Sequence, residues 1–433
     1  MEADARPDGR EDQELTDTIY ALSSGAPPAA VAVVRISGPQ AHAALKALAG
    51  RLPEPRVARL ATLRSDGEVI DKALVLRFDG PASETGEDVV ELQLHGGRSV
   101  VAAVLAALEK IDGLRLAEPG EFTRRAFENG RIDFAQAEGL ADLIEAETES
   151  QRRVALALAG GALSRQVASW QERLLAIAAQ VEAMLDFSDE GDVGAQDVEA
   201  PLAALLAELE AFIARPTVER LREGVRVVIA GPPNAGKSTL LNALVGRDAA
   251  ITSEIPGTTR DVIEAPVALG GVPFLIADTA GLRVGAGTIE AIGVERAQSR
   301  IEAADLVLWL GEPSHKPERA LLIQAKADFV PPNPEADLAV SAKTGQGMAD
   351  LVRLLIQCST SLLPAENEVA LNARHRAALM DAASALREAA SAADPLIAAE
   401  SLRQARAVLD RITGRAGIED MLDALFGRFC IGK

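Results

Sequence analysis

Short apolar runs alternate with segments of helical spacing over the first third of the chain. β-Branched residues are frequent in the runs, as expected for strands. The runs are Val31–Ile36, Ala73–Phe78 and Val89–Leu94, and the helical segments are Gln40–Ala49 and Ser99–Lys110. The pattern predicts a small α+β domain over residues 15–130, preceded by a solvated acidic tail at residues 1–14.

Helical spacing dominates the next part of the chain, residues 131–222, which is rich in Ala, Leu, Glu, Gln and Arg. Leu174, Ile177 and Val181, for example, recur three or four positions apart. Residues 367–433 have a matching composition. Predicted helix breaks lie at Gly160-Gly161, Pro395 and Gly414. Because the two stretches flank a segment of different character, we predict one discontinuous helical domain with a unit inserted between its halves.

The inserted segment, residues 223–366, alternates strand-like runs with helical segments. The runs are Val225–Ala230, Phe274–Ala277, Leu306–Leu310, Leu321–Ile323 and Leu338–Val340. Such alternation is typical of a parallel sheet with crossover helices. The predicted fold is therefore multidomain, with an α+β N-terminal domain, a discontinuous all-α helical domain and an inserted α/β domain.

Composition narrows the class of protein. Apolar residues make up 48% and charged residues 25%, the balance of a folded chain and not of a disordered one. No apolar run reaches the roughly 18 residues that span a bilayer, and the acidic first residues do not resemble a secretory signal. The only cysteines, Cys358 and Cys430, exclude a disulfide scaffold and a four-cysteine zinc site. We therefore expect a cytoplasmic protein with no membrane association.

The charge argues against a broad nucleic-acid-binding surface. The net charge is −20 and the pI is about 4.8, whereas proteins that bind nucleic acid by counterion release usually have a basic face. Aromatic residues make up 3%, too few for an RNA-stacking platform. Any contact with nucleic acid is therefore expected to depend on a local patch, to depend on a partner, or to be weak.

The sequence predicts little chemistry at the remaining cysteine and histidine positions. Cys358 lies in an apolar helical run and is predicted to be a core residue. His95 precedes two glycines and is predicted to be structural, in a turn. His42, His315 and His375 have no partners at metal-ligand spacing, so no zinc site is predicted.

Residues 231–238 read Gly-Pro-Pro-Asn-Ala-Gly-Lys-Ser and fit the phosphate-binding pattern G-x-x-x-x-G-K-[ST]. They follow the run that ends at Ala230 and precede the helical run Thr239–Val245, which is the context that the motif requires. Glycine lets backbone N–H groups face the phosphates. Lys237 can reach the β- and γ-phosphates, and Ser238 can ligate Mg²⁺.

Further motifs, in the order typical of GTPases, favour GTP over ATP. Asp278-Thr279-Ala280-Gly281 ends an apolar strand, and Thr258-Thr259 can supply a switch threonine for Mg²⁺. Residues 325–328, Ala-Lys-Ala-Asp, resemble the guanine motif N-K-x-D without its asparagine, a loss of about 1 kcal/mol of polar contact. Asp328 can still accept two N–H bonds from guanine. The predicted GTP-binding residues are Asn234, Ala235, Gly236, Lys237, Ser238, Thr239, Ser253, Glu254, Ile255, Pro256, Gly257, Thr258, Thr259, Asp278, Thr279, Ala280, Gly281, Lys326, Asp328, Ser341, Ala342 and Lys343.

Leu282 occupies the position at which Ras-like GTPases carry the glutamine that orients the attacking water. Its side chain cannot hydrogen-bond to water, so another group must do so, and Glu290 is the best candidate. Arg260 and Arg283 are candidates for an arginine that stabilises charge. The alternative interpretation of Glu290 is a solvated surface carboxylate with no catalytic role, because most surface carboxylates are simply solvated.

Motifs outside the GTPase segment carry a more specific resemblance. They are Val34-Arg35-Ile36-Ser37-Gly38, Thr85-Gly86-Glu87-Asp88, His95-Gly96-Gly97, Pro119-Gly120-Glu121-Phe122-Thr123, Ala135-Gln136-Ala137-Glu138, Gly257–Asp261 and Phe429-Cys430-Ile431-Gly432-Lys433. With the GTPase motifs, they resemble the MnmE (TrmE) family of bacterial tRNA-modification GTPases from Thr18 to Lys433. The terminal pentapeptide, combined with an upstream GTPase domain, is highly specific to that family.

The resemblance implies a domain plan and an activity. It implies an N-terminal folate-binding and dimerisation domain at 15–130, a helical domain at 131–222 and 367–433, and a GTPase domain at 223–366. It implies a homodimer that forms a heterotetramer with the flavoprotein MnmG, which carries FAD. Such proteins add a carboxymethylaminomethyl or aminomethyl group to C5 of the tRNA wobble uridine, with a one-carbon unit from a tetrahydrofolate derivative.

The resemblance also implies roles for single residues. Potassium contacts fall on Asn234, Ser253, Ile255 and Thr258, and Mg²⁺ contacts fall on Ser238 and Thr259. The water-positioning glutamate falls on Glu290. Folate contacts fall on Arg35, Glu91, Arg131 and Lys433, where a carboxylate suits pterin N–H groups and basic side chains suit glutamyl carboxylates. Cys430 falls in the modification centre.

Other functions compete with this one. A GTP-switched RNA or ribosome-assembly factor shares the GTPase motifs. Such proteins often carry an RNA-binding appendix, whereas the last residues here are predicted helices and Phe-Cys-Ile-Gly-Lys, and the net charge opposes broad RNA affinity. A membrane-coupled transport GTPase is disfavoured by the absence of a spanning segment. A folate-dependent transferase with a regulatory GTPase would differ in whether GTP hydrolysis is needed for the tRNA product.

Overall fold

The structure is a computed structural model that describes residues 17–186, 198–246, 264–278, 298–365, 368–415 and 419–433. The chain divides into two compact units. The first contains the described residues up to Ala141 together with those of Thr413–Lys433, and the second contains those of Asp142–Ile412. Among the described residues, no helix combines the length and the apolar character needed to cross a bilayer.

A six-stranded sheet organises the first unit, with the strand order β3-β4-β5-β2-β1-β6. The strands are β1 Thr18–Leu22, β2 Val31–Ser37, β3 Arg59–Ser65, β4 Glu68–Phe78, β5 Val89–His95 and β6 Leu114–Leu116. The helices are α1 Ala41–Ala49, α2 Arg98–Glu109 and α3 Glu121–Glu128, and α4 Phe134–Glu145 begins in this unit and continues past its boundary at Ala141. Neighbouring strands are antiparallel except for the parallel pair β1 and β6. Each strand-like run of this region coincides with an observed strand, whereas the pattern does not reveal β1, β3 or β6.

One face of this sheet forms the core of the first unit. Val34 and Ile36 of β2 and Leu92 of β5 are fully buried against Leu45 of α1 and Val104 of α2. Because side chains alternate across a strand, the neighbouring positions on β2 and β5 lie on the opposite face. That alternation places polar side chains together on a sheet that is apolar on its other side.

The last residues of the chain belong to the first unit. They form α13, Glu419–Phe426, and an extended end. Phe426 and Phe429 pack in a cluster with Phe134. Gly432 has a φ of 96°, and a Cβ there would lie 2.1 Å from the carbonyl oxygen of Leu22, so only glycine fits. Helical spacing predicts an apolar face in this segment but not which part of the chain covers it.

A second six-stranded sheet, with the order β12-β11-β10-β7-β9-β8, lies in the second unit. Its strands are β7 Val225–Ala230, β8 Glu264–Leu269, β9 Val272–Asp278, β10 Leu306–Trp309, β11 Ala320–Gln324 and β12 Leu338–Ala339. The parallel sheet predicted from the sequence is confirmed except at β8, which is antiparallel to β9. The turn between these two strands is Gly270-Gly271, where φ is 56° and 82°. Positive φ at both central residues suits a tight hairpin, so this Gly-Gly pair was a usable sequence signal.

Helices make up the rest of the second unit. They are α5 Glu149–Ala159, α6 Ala162–Asp186, α7 Glu199–Ile213, α8 Glu219–Glu223, α9 Lys237–Val245, α10 Met348–Ser359, α11 Ala373–Ser391 and α12 Pro395–Thr413. Breaks occur at the predicted glycine pair between α5 and α6, and at Pro395. Trp170 of α6 is fully buried, its ring lies edge-on to Phe212 of α7 at 5.0 Å, and its Nε1 donates to Glu208 at 2.9 Å.

The start of α5 joins the helices to the second sheet. Thr148 caps the helix, and Gln151 completes a capping box with it. The Gln151 side chain also donates to the carbonyl oxygen of Leu221 at 2.7 Å, and the Ser150 hydroxyl donates to that of Gly271 at 2.9 Å. The cap therefore fixes both the helix start and its position against the β8–β9 turn.

Candidate nucleotide-binding site and polar clusters

The phosphate loop lies between the carboxyl end of β7 and the start of α9. Gly231 has a φ of 145°, and a Cβ there would lie 3.0 Å from the backbone of Leu310. Gly236 has a φ of 104° and immediately precedes the first residue of α9. Both glycines of the motif therefore adopt backbone conformations that other residues rarely reach. The loop is a local consequence of the sequence, which explains why the motif alone identifies it.

Lys237 lies inside this loop. Its residue is only 6% exposed, and its Nζ donates to the carbonyl oxygens of Gly231 at 3.0 Å and Pro232 at 2.9 Å. The ammonium group is thus held where the loop wraps around it, at the N-terminus of α9. A helix N-terminus, backbone N–H groups and a buried ammonium group together suit a phosphate chain.

Ser238 and Asp278 meet at the mouth of the loop. The Ser238 hydroxyl donates to Asp278 Oδ2 at 2.5 Å, and Asp278 ends the buried strand β9. A hydroxyl and a carboxylate are hard oxygen groups of the kind that Mg²⁺ prefers. The structure therefore brings together two of the residues that the sequence assigns to nucleotide and metal.

The guanine motif lies at the carboxyl ends of β11 and β12. The amide of Ala327 donates to the carbonyl oxygen of Val340 at 3.0 Å, which ties the two segments together. A hydrogen bond from the Ser341 side chain lowers the pKa of Asp328, and the charge of Lys343 lowers it further. The lowered pKa favours the ionised carboxylate, which can accept hydrogen bonds.

Lys326 connects the guanine motif to the phosphate loop. Its Nζ donates to the carbonyl oxygen of Asn234 at 2.8 Å. Both residues have positive φ, 59° at Lys326 and 60° at Asn234, which is uncommon outside glycine. Asn234 is exposed, so its side-chain amide is accessible at the loop surface.

Several predicted residues lie outside the part of the chain that the structure describes. They are Ser253, Glu254, Ile255, Pro256, Gly257, Thr258, Thr259, Arg260, Thr279, Ala280, Gly281, Leu282, Arg283 and Glu290. Of the predicted Mg²⁺ contacts, the structure describes Ser238, and of the predicted potassium contacts, it describes Asn234.

Arg35 and Glu91, both predicted folate contacts, are direct neighbours across β2 and β5. Arg35 Nη2 lies 2.9 Å from Glu91 Oε1, and Arg35 Nη1 lies 2.8 Å from Glu84 Oε2. Arg131 Nε donates to the carbonyl oxygen of Ser83 at 3.1 Å, one residue from Glu84. The structure thus brings Arg35, Glu91 and the 83–84 segment together on the face opposite the core. For Lys433, it shows a backbone N–H donated to Cys430.

A buried ion cluster lies beside this face and is not evident from the sequence. Arg125 of α3 contacts Asp17, Glu87 and Glu121 at 2.7, 3.1 and 3.0 Å. Burial opposes ionisation of Glu121, but hydrogen bonds from Arg115 and from the backbone of Glu118 hold its pKa below the usual value. The signal that could have found the cluster is the pair of acidic motifs at 85–88 and 119–123.

His42 corrects the expectation that it has no partners. Its Nε2 lies 3.4 Å from Asp79 Oδ1, and its Nδ1 lies 3.4 Å from Asp88 Oδ2. The three residues come from separate segments, so their spacing in the sequence carries no metal-ligand pattern. Each carboxylate faces a different ring nitrogen, and Arg77 Nε lies 3.5 Å from Asp79. One possible ligand atom from each of the three residues lies within 4.8 Å of the other two, so the group has the arrangement of a candidate metal site although the sequence shows no such pattern.

The cysteines and His95 also differ from a simple sequence interpretation. Cys358 is half-buried and not a full core residue, and its burial raises the pKa of its thiol. Cys430 is exposed. His95 is the last residue of β5 rather than a turn residue, and its Nδ1 lies 2.7 Å from the largely buried carboxylate of Asp71.

A cavity of about 120 Å³ lies in the second unit, between the end of α4, α5 and α8. Glu145 and Glu147 line it, together with Arg222 and Asp142, which form an ion pair at 2.6 Å. None of the described residues that line it belongs to a predicted site.

Comparisons with known proteins cover nearly the whole chain. A family model described as the MnmE helical domain matches residues 134–430, and one described as the GTP-binding protein TrmE N-terminus matches residues 18–131. The tRNA modification GTPase MnmE of Rhizorhabdus wittichii is 60% identical over 427 residues, which cover 96% of this chain and 97% of that protein. The protein of the same name from Novosphingobium aromaticivorans is 56% identical over 437 residues, which cover 97% of this chain and 100% of that protein.

Among solved structures, the G domain of the T. maritima FeoB iron transporter is 23% identical and covers 31% of this chain and 99% of its own length. Its TM-score is 0.24, which is too low for this similarity to support a conclusion about the fold.

Proposed function

The chain belongs to the MnmE family of tRNA modification GTPases, and we propose that its GTP hydrolysis drives modification of the tRNA wobble uridine. In this proposal, a carboxymethylaminomethyl or aminomethyl group is added to C5 of that uridine. A tetrahydrofolate derivative supplies the one-carbon unit, and a flavoprotein partner, MnmG, carries FAD. The observation that supports the GTP-dependent part most directly is the nucleotide site itself.

Three groups of this site have complementary tasks. Lys237, buried in the phosphate loop, neutralises phosphate charge. Asp328 is held ionised and accepts two N–H bonds from guanine, which adenine cannot supply in that arrangement. Ser238 contacts Mg²⁺, which neutralises charge on the β- and γ-phosphates when bound. The hydrogen bond between Ser238 and Asp278 supports this assignment because it places hard oxygen groups together.

A potassium ion and Glu290 complete the hydrolytic site in this proposal. Asn234, Ser253, Ile255 and Thr258 hold the ion, and Thr259 is the second protein ligand of Mg²⁺. A monovalent cation there would neutralise the charge that develops on the phosphates. The exposed amide of Asn234 fits this role. Glu290 orients the attacking water in place of the glutamine that Leu282 replaces.

The folate site is proposed on the face of the first sheet that carries Arg35 and Glu91. Glu91 binds the amino and ring N–H groups of the pterin, while Arg35, Arg131 and Lys433 bind the glutamyl carboxylates. The contact between Arg35 and Glu91 supports the site because it holds both side chains in one place. Glu91→Ala should weaken binding of 5-formyltetrahydrofolate in calorimetry, and unchanged affinity would remove Glu91 from the site.

The assembly in this proposal is a homodimer through the N-terminal domain, at 15–130, which joins the flavoprotein as a heterotetramer in the cytoplasm. The helical domain at 131–222 and 367–433 carries Cys430 toward the modification centre, and the GTPase domain occupies 223–366. Two exposed leucines, Leu60 of β3 and Leu74 of β4, lie opposite each other on the first sheet and support an apolar dimer contact.

Steady-state GTP hydrolysis in KCl and in NaCl at equal ionic strength tests the proposal. We expect potassium to accelerate turnover by about tenfold or more, the scale of one charge-stabilising group. Equal rates would remove the potassium site and direct attention to Arg260 or Arg283. The nucleosides of tRNA incubated with the complete system then show whether hydrolysis is required for the product. A modified uridine formed without hydrolysis would favour a folate-dependent transferase with a regulatory GTPase.

A further inference from the structure

The loop that recognises guanine lacks the polar side chain that its motif usually carries. It runs from Ala325, where the motif has asparagine, to Asn333. The Ala325 methyl group lies 3.5 Å from the position that a Cβ would occupy on Gly236 of the phosphate loop. Position 325 therefore faces the phosphate loop but donates and accepts nothing there through its side chain.

Gln324, one residue earlier, binds the far end of the same loop. Its Nε2 donates to the carbonyl oxygen of Pro331 at 2.6 Å and, more weakly, to that of Val330 at 3.4 Å. Its Oε1 accepts from the amide of Asn333 at 2.6 Å. One half-buried amide thus closes the loop on itself, with both of its polar ends used.

The backbone of Gln324 is held independently of its side chain. Gln324 is the last residue of β11 and pairs with Ala339 of β12, and its carbonyl oxygen accepts from the amide of Val340 at 2.8 Å. The side chain therefore extends from a fixed strand end. Loop residues that hydrogen-bond to the Gln324 side chain are therefore held at a defined distance from the end of β11.

Apolar packing does not hold this part of the loop. Phe329 is 87% exposed and Val330 is 42% exposed. Their backbone amides donate to the carbonyl oxygen of Lys326. These hydrogen bonds form a turn, but they do not connect the turn to residues outside the loop. Asp328 is itself bonded to Ser341, and the amide of Ala327 bonds to Val340, so the Gln324 amide adds the contact that holds the segment after Asp328.

We propose that Gln324 is a positioning residue for guanine recognition, which closes the far end of the loop whose first residue, Ala325, has no polar side chain. It touches no nucleotide atom in this proposal. Gln324 fixes the segment after Asp328, so that the Asp328 carboxylate is already oriented before guanine binds. Less conformational entropy is then lost on binding. This inference rests on the GTP site proposed above.

Binding of a fluorescent GDP analogue and GTP turnover in potassium test it. Gln324→Ala should weaken GDP binding and raise the KM for GTP by about tenfold, the scale of one or two hydrogen bonds. The kcat at saturating GTP should stay within about twofold, because the residue acts on base recognition and not on the phosphates. Gln357→Ala, at an exposed glutamine of α10, is the matched control and should change neither value.

A rescue separates positioning from general weakening of the fold. Ala325→Asn places an amide toward the phosphate loop and should restore most of the GDP affinity of Gln324→Ala, while having a smaller effect alone. Gln324→Glu is a second variant that keeps the acceptor for Asn333 but loses the donor to Pro331, and it should also weaken binding. Thermal unfolding of each variant checks that the protein is folded.

The possible results separate failure of this inference from failure of the proposed GTP site. Wild-type affinity in both Gln324 variants would overturn the inference alone, as would a fall in kcat as large as the rise in KM. Failure of Ala325→Asn to restore affinity in a folded double variant would overturn the proposed compensation. A wild-type protein that does not bind guanine nucleotides would overturn the proposed site and this inference together.

Discussion

The guanidinium of Arg125 lies 3.1 Å from the carboxylate of Glu87, although 38 residues separate them in the chain. Arg125 is only 2% exposed, and the same group contacts Glu121 and Asp17. Glu87 belongs to the motif Thr-Gly-Glu-Asp, and Glu121 belongs to Pro-Gly-Glu-Phe-Thr. Two motifs that look independent in the sequence therefore meet around one buried cation.

Arg125→Met should destabilise the first unit by about 3–5 kcal/mol, because it removes the buried cation that contacts Glu87 and leaves Asp17 and Glu121 with Arg115. Urea unfolding at neutral pH, followed by a probe in the first unit, measures the loss. The matched control is Lys110→Ala, which removes an exposed ion pair with Asp66 and should leave the unfolding midpoint unchanged. A midpoint for Arg125→Met equal to that of the wild type would show that the cluster does not stabilise the unit.

The same cluster predicts how stability depends on pH. The pKa of Glu121 is lowered below its usual value of 4.5 in the folded protein. A carboxyl group with a lower folded pKa stabilises the fold above its unfolded pKa and loses that contribution as the pH falls through its folded value. The free energy of unfolding should therefore fall below about pH 4.5, and Glu121→Gln should reduce stability at pH 7 and flatten this acid limb.

Urea unfolding between pH 3 and 7 measures this dependence. Glu54→Gln, at an exposed position, is the control and should keep the wild-type slope. If the slope for Glu121→Gln matches that of the wild type, the cluster is not the origin of the acid sensitivity.

Lys237→Ala should abolish measurable GDP and GTP binding, with a loss of about 100-fold or more in affinity. The reason is that the ammonium group is enclosed by the phosphate loop, where its charge is poorly replaced by water. Calorimetry with GDP checks the result. Arg353→Ala removes an exposed cation of α10 in the same unit and should bind normally. Retained affinity in Lys237→Ala would contradict the phosphate-loop assignment.

Glu290→Ala should bind GTP normally and hydrolyse it about 100-fold more slowly, the scale of one group that orients or deprotonates water. Binding and single-turnover hydrolysis, both in potassium, separate the two effects. Glu302→Ala, at a surface carboxylate of the same segment of the chain, is the control. Normal turnover in Glu290→Ala would show that another residue orients the attacking water.

The phosphate loop shows how far local sequence reasoning reaches. Gly231 and Gly236 adopt positive φ within one short segment, and Lys237 bonds to carbonyl oxygens five and six residues earlier. These bonds join neighbours in the chain, so the motif predicts the loop, whereas the contacts of the loop with Leu310, Asp278 and Lys326 come from distant segments. The Gly270-Gly271 hairpin could have been recognised for the same reason.

The cluster around Arg125 shows where that reasoning stops. A sequence contains many arginines and carboxylates, and nothing local states which of them will be buried together. The same holds for His42, whose acidic partners come from two other segments, and for Gln324, whose amide bonds to a loop that folds back on it. Such pairs depend on where the strands and helices bring their ends.

The multidomain character, the alternation of strands and helices, and the candidate nucleotide motifs can be recognised from the residues alone, because periodicity and glycine conformations are local properties. The fold is needed to show that residues 413–433 pack in the first unit, that Arg35 pairs with Glu91, and that Arg125 contacts two acidic motifs. The physical reason is that Coulomb attraction and apolar packing act across space. Their partners are selected by the folded topology and not by separation along the chain.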